Sequence, residues 1–173
     1  MYKKIDIFDF DGTLIYTPDF YEGKEIWEKK MGRVCPYNGW ASKAESLDLD
    51  VFYMALNPYV YAKYLESFND SETFTALVTG RLARLIEPVT AILDFHGLEF
   101  NLIALNNAGT TYSFKTNLFT NLINEHNPEV ITIYDDRHRH IVDFEKQWAP
   151  LQNCGVEIID VTKTDKAPKI IYN

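Results

Sequence analysis

A short apolar run that ends on two acids constrains this chain more than any other feature of its sequence. The run is Ile5-Asp6-Ile7-Phe8, and Asp9-Phe10-Asp11-Gly12 follows it directly. Aspartate is disfavoured inside strands, but at the carboxyl end of a parallel strand it faces the crevice where open α/β sheets bind ligands. We therefore predict a buried strand over residues 4–9 whose end presents Asp9 and Asp11, with Gly12 turning the backbone away.

Three later segments carry polar residues in equivalent places. They are Thr79-Gly80-Arg81 after an apolar run, Lys115 within Ser113-Phe114-Lys115-Thr116, and Asp135-Asp136-Arg137 after a second apolar run. The carboxyl ends of parallel strands meet at one edge of a sheet, where ligands bind. We therefore expect these segments and the first pair of acids to share one crevice.

The chemistry of this crevice follows from its donor and acceptor groups. Its carboxylates are Asp9, Asp11, Asp135 and Asp136, and they repel one another unless a cation lies among them. An oxygen-only set of this kind suits Mg²⁺, which binds through a few carboxylates and keeps waters and phosphate oxygens as further ligands. Donors for an anion would come from Thr79, the amide of Gly80, Arg81 and Lys115. Together these groups predict phosphoryl transfer.

Strand and helix patterns alternate along the chain, which predicts an α/β fold with right-handed crossovers. We expect a three-layer, Rossmann-like parallel sheet of about five strands with helices on both faces. The expected strands cover residues 4–9, 74–79, 100–105, 130–134 and 156–161. The expected helices cover residues 20–31, 57–68, 82–95 with a bend or restart at Pro88, about 115–127, and 137–148.

Length and composition bound the domain organisation. With 173 residues, of which 46% are hydrophobic, the chain can bury one core and has little room for a second. We predict a single domain over residues 1–173, with a small cap insertion after the first strand at about residues 19–56 and a loose tail at residues 162–173.

The aromatic residues Tyr37 and Trp40 lie in the irregular part of the expected cap, and two interpretations are open. Large aromatics in a loop usually fill a gap in the core. Alternatively, Tyr37 and Trp40 line a substrate opening, where bases can stack on them.

Charge and segment lengths exclude some functions. The formal net charge is −8, so any binding to nucleic acid would have to rely on local positive charge. The apolar runs fall short of the roughly 18 residues that span a bilayer, and the chain begins without a signal-peptide pattern. We expect an intracellular, cytoplasmic protein without membrane contact. Its two cysteines, Cys35 and Cys154, are expected to be reduced thiols.

The four segments, in this order, resemble the haloacid dehalogenase (HAD) superfamily of phosphotransferases. That resemblance implies that Asp9 attacks phosphorus to form an aspartyl-phosphate, which water later hydrolyses. It implies that Asp11 protonates the leaving oxygen, then activates the water, and contributes its backbone carbonyl to the metal. Thr79 would bind the phosphate and Lys115 would steady the nucleophile. Asp136 would bind the metal directly, and Asp135 would orient Lys115 or a metal-bound water.

A narrower resemblance rests on the arginines in Thr79-Gly80-Arg81 and Asp135-Asp136-Arg137, which are similar to those of polynucleotide 3'-phosphatases. Further matches resemble the HAD domain of the "Swiss army knife" RNA-repair-like proteins over roughly residues 4–148. These matches are Trp27, Gly39-Trp40, Ser46-Leu47, Phe114-Lys115, His140 and Phe144. The loop at residues 106–111 departs from that pattern. The resemblance implies that Arg81 and Arg137 bind phosphate groups of the substrate.

Three functions remain open from the sequence. The first is a Mg²⁺-dependent phosphatase acting on a nucleic-acid or nucleotide phosphate, such as a 3'-phosphate end of RNA or DNA. The second is a phosphatase of a small metabolite or a phosphoprotein, which the acidic charge favours. The third is a catalytically silent binding module that keeps the fold. The sequence leaves the oligomeric state undetermined.

Overall fold

The computed structural model describes residues 2–35 and 39–164. In this part of the chain, parallel strands form one sheet in the order β3-β2-β1-β4-β5. The strands are β1 (Lys4–Phe8), β2 (Thr73–Leu82), β3 (Leu102–Asn106), β4 (Val130–Asp135) and β5 (Gly155–Asp160). The helices are α1 (Phe20–Met31), α2 (Pro58–Phe68), α3 (Ile86–Phe95), α4 (Thr111–His126) and α5 (His138–Asp143). The predicted α/β fold is confirmed.

The strand order fixes where a ligand can bind. The chain passes from β1 to β2 to β3 in one direction, and β4 then lies on the other side of β1. In open α/β sheets ligands bind outside the carboxyl ends of the strands at such a reversal. Asp9 directly follows β1, and Asp135 is the last residue of β4. The topology therefore brings these two acids to the predicted crevice.

Alternating side chains give the sheet two buried faces. On one face Phe8 packs with residues of α2 and α3, including Tyr64 and Val89. On the other face Ile7 packs with Phe119 of α4 and with residues that follow α5. The sheet is thus the middle of three layers.

Local sequence signals set both ends of the helix that opens the cap. Asp19 is the N-cap of α1, and its Oδ1 accepts hydrogen bonds from the backbone N–H groups of Tyr21 at 2.8 Å and Glu22 at 2.9 Å. The helix ends at Gly32, whose φ of 65° is in the left-handed region that favours glycine. The observed bounds of α1 match the predicted ones because both capping signals are local.

Two predicted helix starts are wrong. Residue Leu82 ends β2, a single 3-10 turn follows at Ala83–Leu85, and α3 begins only at Ile86. Pro88 therefore lies in the first turn of α3, where proline is tolerated without a bend. Helix α4 begins at Thr111 and not near Lys115, because the side chain of Thr110 caps it by accepting a hydrogen bond from the Ser113 N–H.

The segment between α1 and α2 contains two short 3-10 helices, Trp40–Ser42 and Ala44–Leu47. Tyr37, one of the two aromatics expected there, lies outside the described residues. The predicted tail is described only to residue 164, and it begins with the 3-10 turn Val161–Lys163. Among the described residues, no helix has the length and apolar character needed to cross a membrane.

Candidate active site

A buried lysine joins the carboxyl ends of the two central strands. The Nζ atom of Lys115 lies 2.7 Å from Oδ1 of Asp9 and 2.6 Å from Oδ2 of Asp135. The Lys115 side chain is only 2% exposed, so both ion pairs are shielded from water. The second oxygen of Asp135 accepts a hydrogen bond from the backbone N–H of Arg137 at 2.9 Å. Lys115 therefore fixes one oxygen of Asp9 and leaves the other, Oδ2, outside these ion pairs.

Burial and crowding alter the acidity of these groups. Burial raises the pKa of Asp9 to about 7; Lys115 opposes this shift, while Asp135 and Asp11 add to it. Burial also raises the pKa of Asp136 to about 6, with Asp135 adding to the shift and Arg137 opposing it. For Lys115, burial alone would lower the pKa, but the two carboxylates outweigh burial and raise it. The site thus holds more negative charge than Lys115 neutralises.

The arrangement of three carboxylates fits a divalent cation. Within the described residues, oxygen atoms of Asp9, Asp135 and Asp136 all lie within 4.8 Å of one another. Oδ1 of Asp136 is buried and has no hydrogen-bond partner among the described residues. A buried carboxylate oxygen without a donor is costly, and Mg²⁺ would satisfy it with the hard oxygen ligands that it prefers.

Gly12 lets Asp136 approach the loop after β1. Its φ is +70°, and a Cβ atom there would lie within 2.3 Å of Oδ2 of Asp136. Any other residue would therefore displace this carboxylate.

The Asp11 carboxylate lies outside this group of three and faces an arginine. Nε of Arg81 lies 2.9 Å from Oδ2 of Asp11, and Nη2 lies 2.6 Å from Oδ1. The Thr17 hydroxyl also donates to Oδ1 of Asp11, at 2.7 Å. The side chain of Asp11 is thus held away from the metal ligands. The backbone carbonyl of Asp11 is the atom that the family resemblance gives to the metal, and that role stays a prediction.

The geometry changes the role expected of Arg81. Besides Asp11, its guanidinium donates through Nη1 to the Ala41 carbonyl at 2.7 Å and to the Ser46 hydroxyl at 2.5 Å. Arg81 is buried and engaged by these protein groups, so it orients Asp11 and links β2 to the cap. It also lines the cavity described below, and phosphate binding by Arg81 stays a prediction.

The segment before Arg81 is also packed tightly. The Thr79 hydroxyl is buried and accepts a hydrogen bond from the Arg81 N–H at 3.1 Å. A Cβ atom at Gly80 would lie 2.7 Å from Cγ2 of Thr111. Phosphate binding by Thr79 and by the Gly80 amide stays a prediction.

A cavity of about 600 Å³ opens beside the carboxylates. Its walls come from the loop after β1, the start of α1, the first 3-10 helix of the cap and the ends of β2 and β4. The lining residues are Asp11, Gly12, Thr17, Pro18, Asp19, Phe20, Gly39, Trp40, Ala41, Ser42, Gly80, Arg81, Asp136 and Arg137. The exposed side chain of Arg137 offers this cavity a positive charge.

Trp40 borders the cavity but belongs to the core. It is 4% exposed, its indole N–H donates to the Pro18 carbonyl at 3.2 Å, and its ring packs edge-on against Phe52. Little of its surface is open to a ligand, so this geometry does not favour stacking of a base on Trp40, and that role stays a prediction. The alternative, that it fills a gap in the core, matches the geometry.

Sequence reasoning missed two residues that act on Asp11. Thr17 donates to Asp11 directly, and Ser46 accepts a hydrogen bond from the arginine that holds it. Thr17 lies six positions after Asp11, and its nearness to a reactive acid was the available signal. Ser46 belongs to one of the motifs that resemble the RNA-repair HAD domain, but nothing in the sequence indicated that its hydroxyl contacts Arg81.

The fold and the site define a HAD-type α/β protein, in which a lysine and several acids meet at the carboxyl ends of the central strands. Residues 22–170 match the model of HAD domain family 1 in Swiss Army Knife RNA repair proteins. The chain therefore belongs to this family. The matched range begins after Asp9 and Asp11, so those two acids are identified from the site itself.

Two solved structures share the fold. The "Structure of the Pnkp1/Rnl/Hen1 RNA repair complex" contains a chain that is 21% identical, with a TM-score of 0.54. A second "Structure of Pnkp1/Rnl/Hen1 complex" gives 20% identity and a TM-score of 0.54. Each alignment covers 91% of this chain but only 42% or 46% of the other, so this chain spans less than half of those it matches. A search of curated proteins finds no match.

Proposed function

We propose that the protein is a Mg²⁺-dependent phosphohydrolase that removes a phosphate from the end of a nucleic acid or from a nucleotide, with a 3'-phosphate as the first candidate. The observation that carries this proposal is the Lys115 ammonium held between Asp9 and Asp135, beside an Asp136 oxygen that lacks a partner among the described residues. This arrangement leaves one oxygen of Asp9 outside the ion pair, free to attack phosphorus, and the Lys115 ammonium beside it supplies positive charge for a phosphoryl group.

The chemistry divides into two displacements at phosphorus. First, Oδ2 of Asp9 forms a bond to phosphorus while the bond from phosphorus to the leaving oxygen breaks, and Asp11 gives that oxygen its proton. Next, a water molecule attacks the aspartyl-phosphate, Asp11 takes the proton of the water, and the bond between Asp9 and phosphorus breaks. Dividing one difficult step into two easier ones is the general benefit of covalent catalysis.

The surrounding residues hold the reacting groups in place. Lys115 holds Asp9 in position and neutralises part of the charge that develops on the phosphoryl oxygens. Asp9, Asp136 and the Asp11 carbonyl would hold Mg²⁺, which when bound supplies positive charge to the phosphoryl group. Arg81 and Thr17 keep the Asp11 carboxylate at the cavity, where the leaving oxygen and the water would lie.

Support for a nucleic-acid substrate comes from the family and from the cavity. The family is described from RNA repair proteins, and Arg137 lines the cavity where a neighbouring phosphodiester would lie. An arginine binds phosphate oxygens bidentately. The net charge of −8 favours a small phosphorylated metabolite instead, and the experiment has to separate these two substrates.

The test compares substrates with Mg²⁺ present and after chelation. Oligonucleotides with a 3'- or 5'-phosphate, nucleoside monophosphates and sugar phosphates are assayed for phosphate release. We expect the oligonucleotide ends to give the highest kcat/KM, and higher values for sugar phosphates would refute the nucleic-acid substrate. Rapid acid quenching of labelled substrate should trap phosphate on the Asp11→Asn protein and not on Asp9→Asn. Phosphate release by Asp9→Asn at the wild-type rate would refute the covalent step, because an amide cannot replace the carboxylate as nucleophile.

A further inference from the structure

Among the described residues, two aromatic side chains line the cavity beside the carboxylates, Phe20 and Trp40, and they differ in what they offer a ligand. Trp40 is 4% exposed, whereas Phe20 is 42% exposed. The Trp40 ring is also fixed from two sides, by the hydrogen bond to Pro18 and by the contact with Phe52. Of these two aromatics, Phe20 is therefore the one with substantial exposed surface that a ligand in the cavity can contact.

Phe20 is held by the start of a helix. It is the first residue of α1 and directly follows the N-cap Asp19. Its ring also makes an edge-to-face contact with the neighbouring Tyr21, with 5.1 Å between centroids. A side chain that the fold already positions loses little conformational entropy when a ligand packs against it.

The charges of the cavity make an uncharged contact valuable. Three acids, Asp11, Asp19 and Asp136, and two arginines, Arg81 and Arg137, line the same cavity, so charge alone gives a polyanion little net attraction beyond the contact at Arg137. Stacking of a base on an aromatic ring adds affinity without adding charge, and it tolerates any base because each has a π-face. The cavity volume of about 600 Å³ lies within the range of sites that enclose small organic ligands.

We propose that Phe20 is the platform on which the terminal base stacks while the phosphate lies at Asp9, with Arg137 contacting the backbone next to it. This assignment rests on the proposed function, since it requires a substrate with a base. It makes Phe20 a specificity residue, and it predicts that the protein tolerates any base at that position.

The experiment uses two oligonucleotides that differ only at the residue carrying the 3'-phosphate, which has a base in one and is abasic in the other. We expect the wild-type protein to prefer the base-bearing end by about tenfold or more in kcat/KM, mainly through KM. Phe20→Ala should abolish this preference, so that the two kcat/KM values become about equal, and Phe20→Trp should retain it. Fluorescence anisotropy with the Asp9→Asn protein, with and without Phe20→Ala, measures the same preference as a ratio of Kd values.

Phe95→Ala is the matched control. Phe95 is 58% exposed at the end of α3, and it does not line the cavity. This variant should keep the wild-type preference. The ratio to compare is kcat/KM for the base-bearing oligonucleotide divided by kcat/KM for the abasic one. If this ratio is the same for wild type and Phe20→Ala, the role of Phe20 is refuted while the proposed function stands. If neither oligonucleotide is hydrolysed but sugar phosphates are, the proposed function fails and the role of Phe20 fails with it.

Discussion

Replacing Lys115 by methionine tests the central feature of the site, the single cation between buried carboxylates. Methionine keeps an unbranched, flexible side chain and removes the charge. Two ion pairs of 2.7 Å and 2.6 Å are lost, and Asp9 and Asp135 then face each other without a counter-charge. Removing one partner of a buried ion pair typically costs about 3–5 kcal/mol of stability, so we expect a loss in this range.

The control is a surface lysine whose ion pair has the same N–O distance as the pair between Lys115 and Asp9. Lys63 lies 2.7 Å from Oε2 of Glu66, but its side chain is 35% exposed. Exposed ion pairs contribute little because solvent screens them, so Lys63→Met should reduce stability far less than Lys115→Met. Both variants are measured by urea unfolding in chelator. Equal losses for the two lysines would refute the reasoning, because the pairs share their distance and differ in burial.

The same variant has a pH dependence of known sign. The folded-state pKa of Asp9 is already raised to about 7, and loss of Lys115 raises it further. A carboxyl group whose pKa is raised on folding binds more protons in the folded state, so stability falls as pH rises from the unfolded pKa towards the folded one. The cost of Lys115→Met should therefore be larger at about pH 8 than at about pH 5. Adding Asp9→Asn should recover much of the loss near pH 8.

Three further predictions concern the site. Asp9→Asn should abolish turnover and leave Tm near or above that of wild type. Asp11→Asn should lower kcat about a hundredfold or more. Substantial activity of Asp9→Asn would exclude Asp9 as the nucleophile. Mg²⁺ needs ionised ligands, and burial raises the pKa values of Asp9 and Asp136 to about 7 and about 6. Millimolar Mg²⁺ should therefore raise Tm more at pH values above these pKa values than at pH values below them. A rise in Tm that is independent of pH would contradict a metal site shared by these carboxylates. Arg81→Ala should lower kcat more than it raises KM, since it frees Asp11 and the cap; a change confined to KM would mean that Arg81 binds substrate.

Local signals made much of the fold predictable. The bounds of α1 follow from Asp19 and Gly32, which act within one turn of the helix. The strand ends were placed to within a few residues, because apolar runs must be buried and polar residues end them. The start of α3 was missed because β2 continues through Gly80 and Arg81 to Leu82, and pairing of Leu82 with Asn106 of β3 overrode the local pattern.

Short sequence motifs predicted which residue types form the site. They did not predict which side chains pair with one another. Asp9 and Asp135 meet because parallel strands bring their carboxyl ends to one edge, and Lys115 reaches them from the start of α4. The residue types and their order along the chain were sufficient to predict this meeting. Arg81 and Asp11 are separated by 70 positions, and their pairing depends on the path of the cap that supplies the Ala41 carbonyl and the Ser46 hydroxyl. No local pattern encodes that path. The same cap packing buries Trp40 and leaves Phe20 exposed, so only the tertiary structure decided which aromatic a ligand can reach.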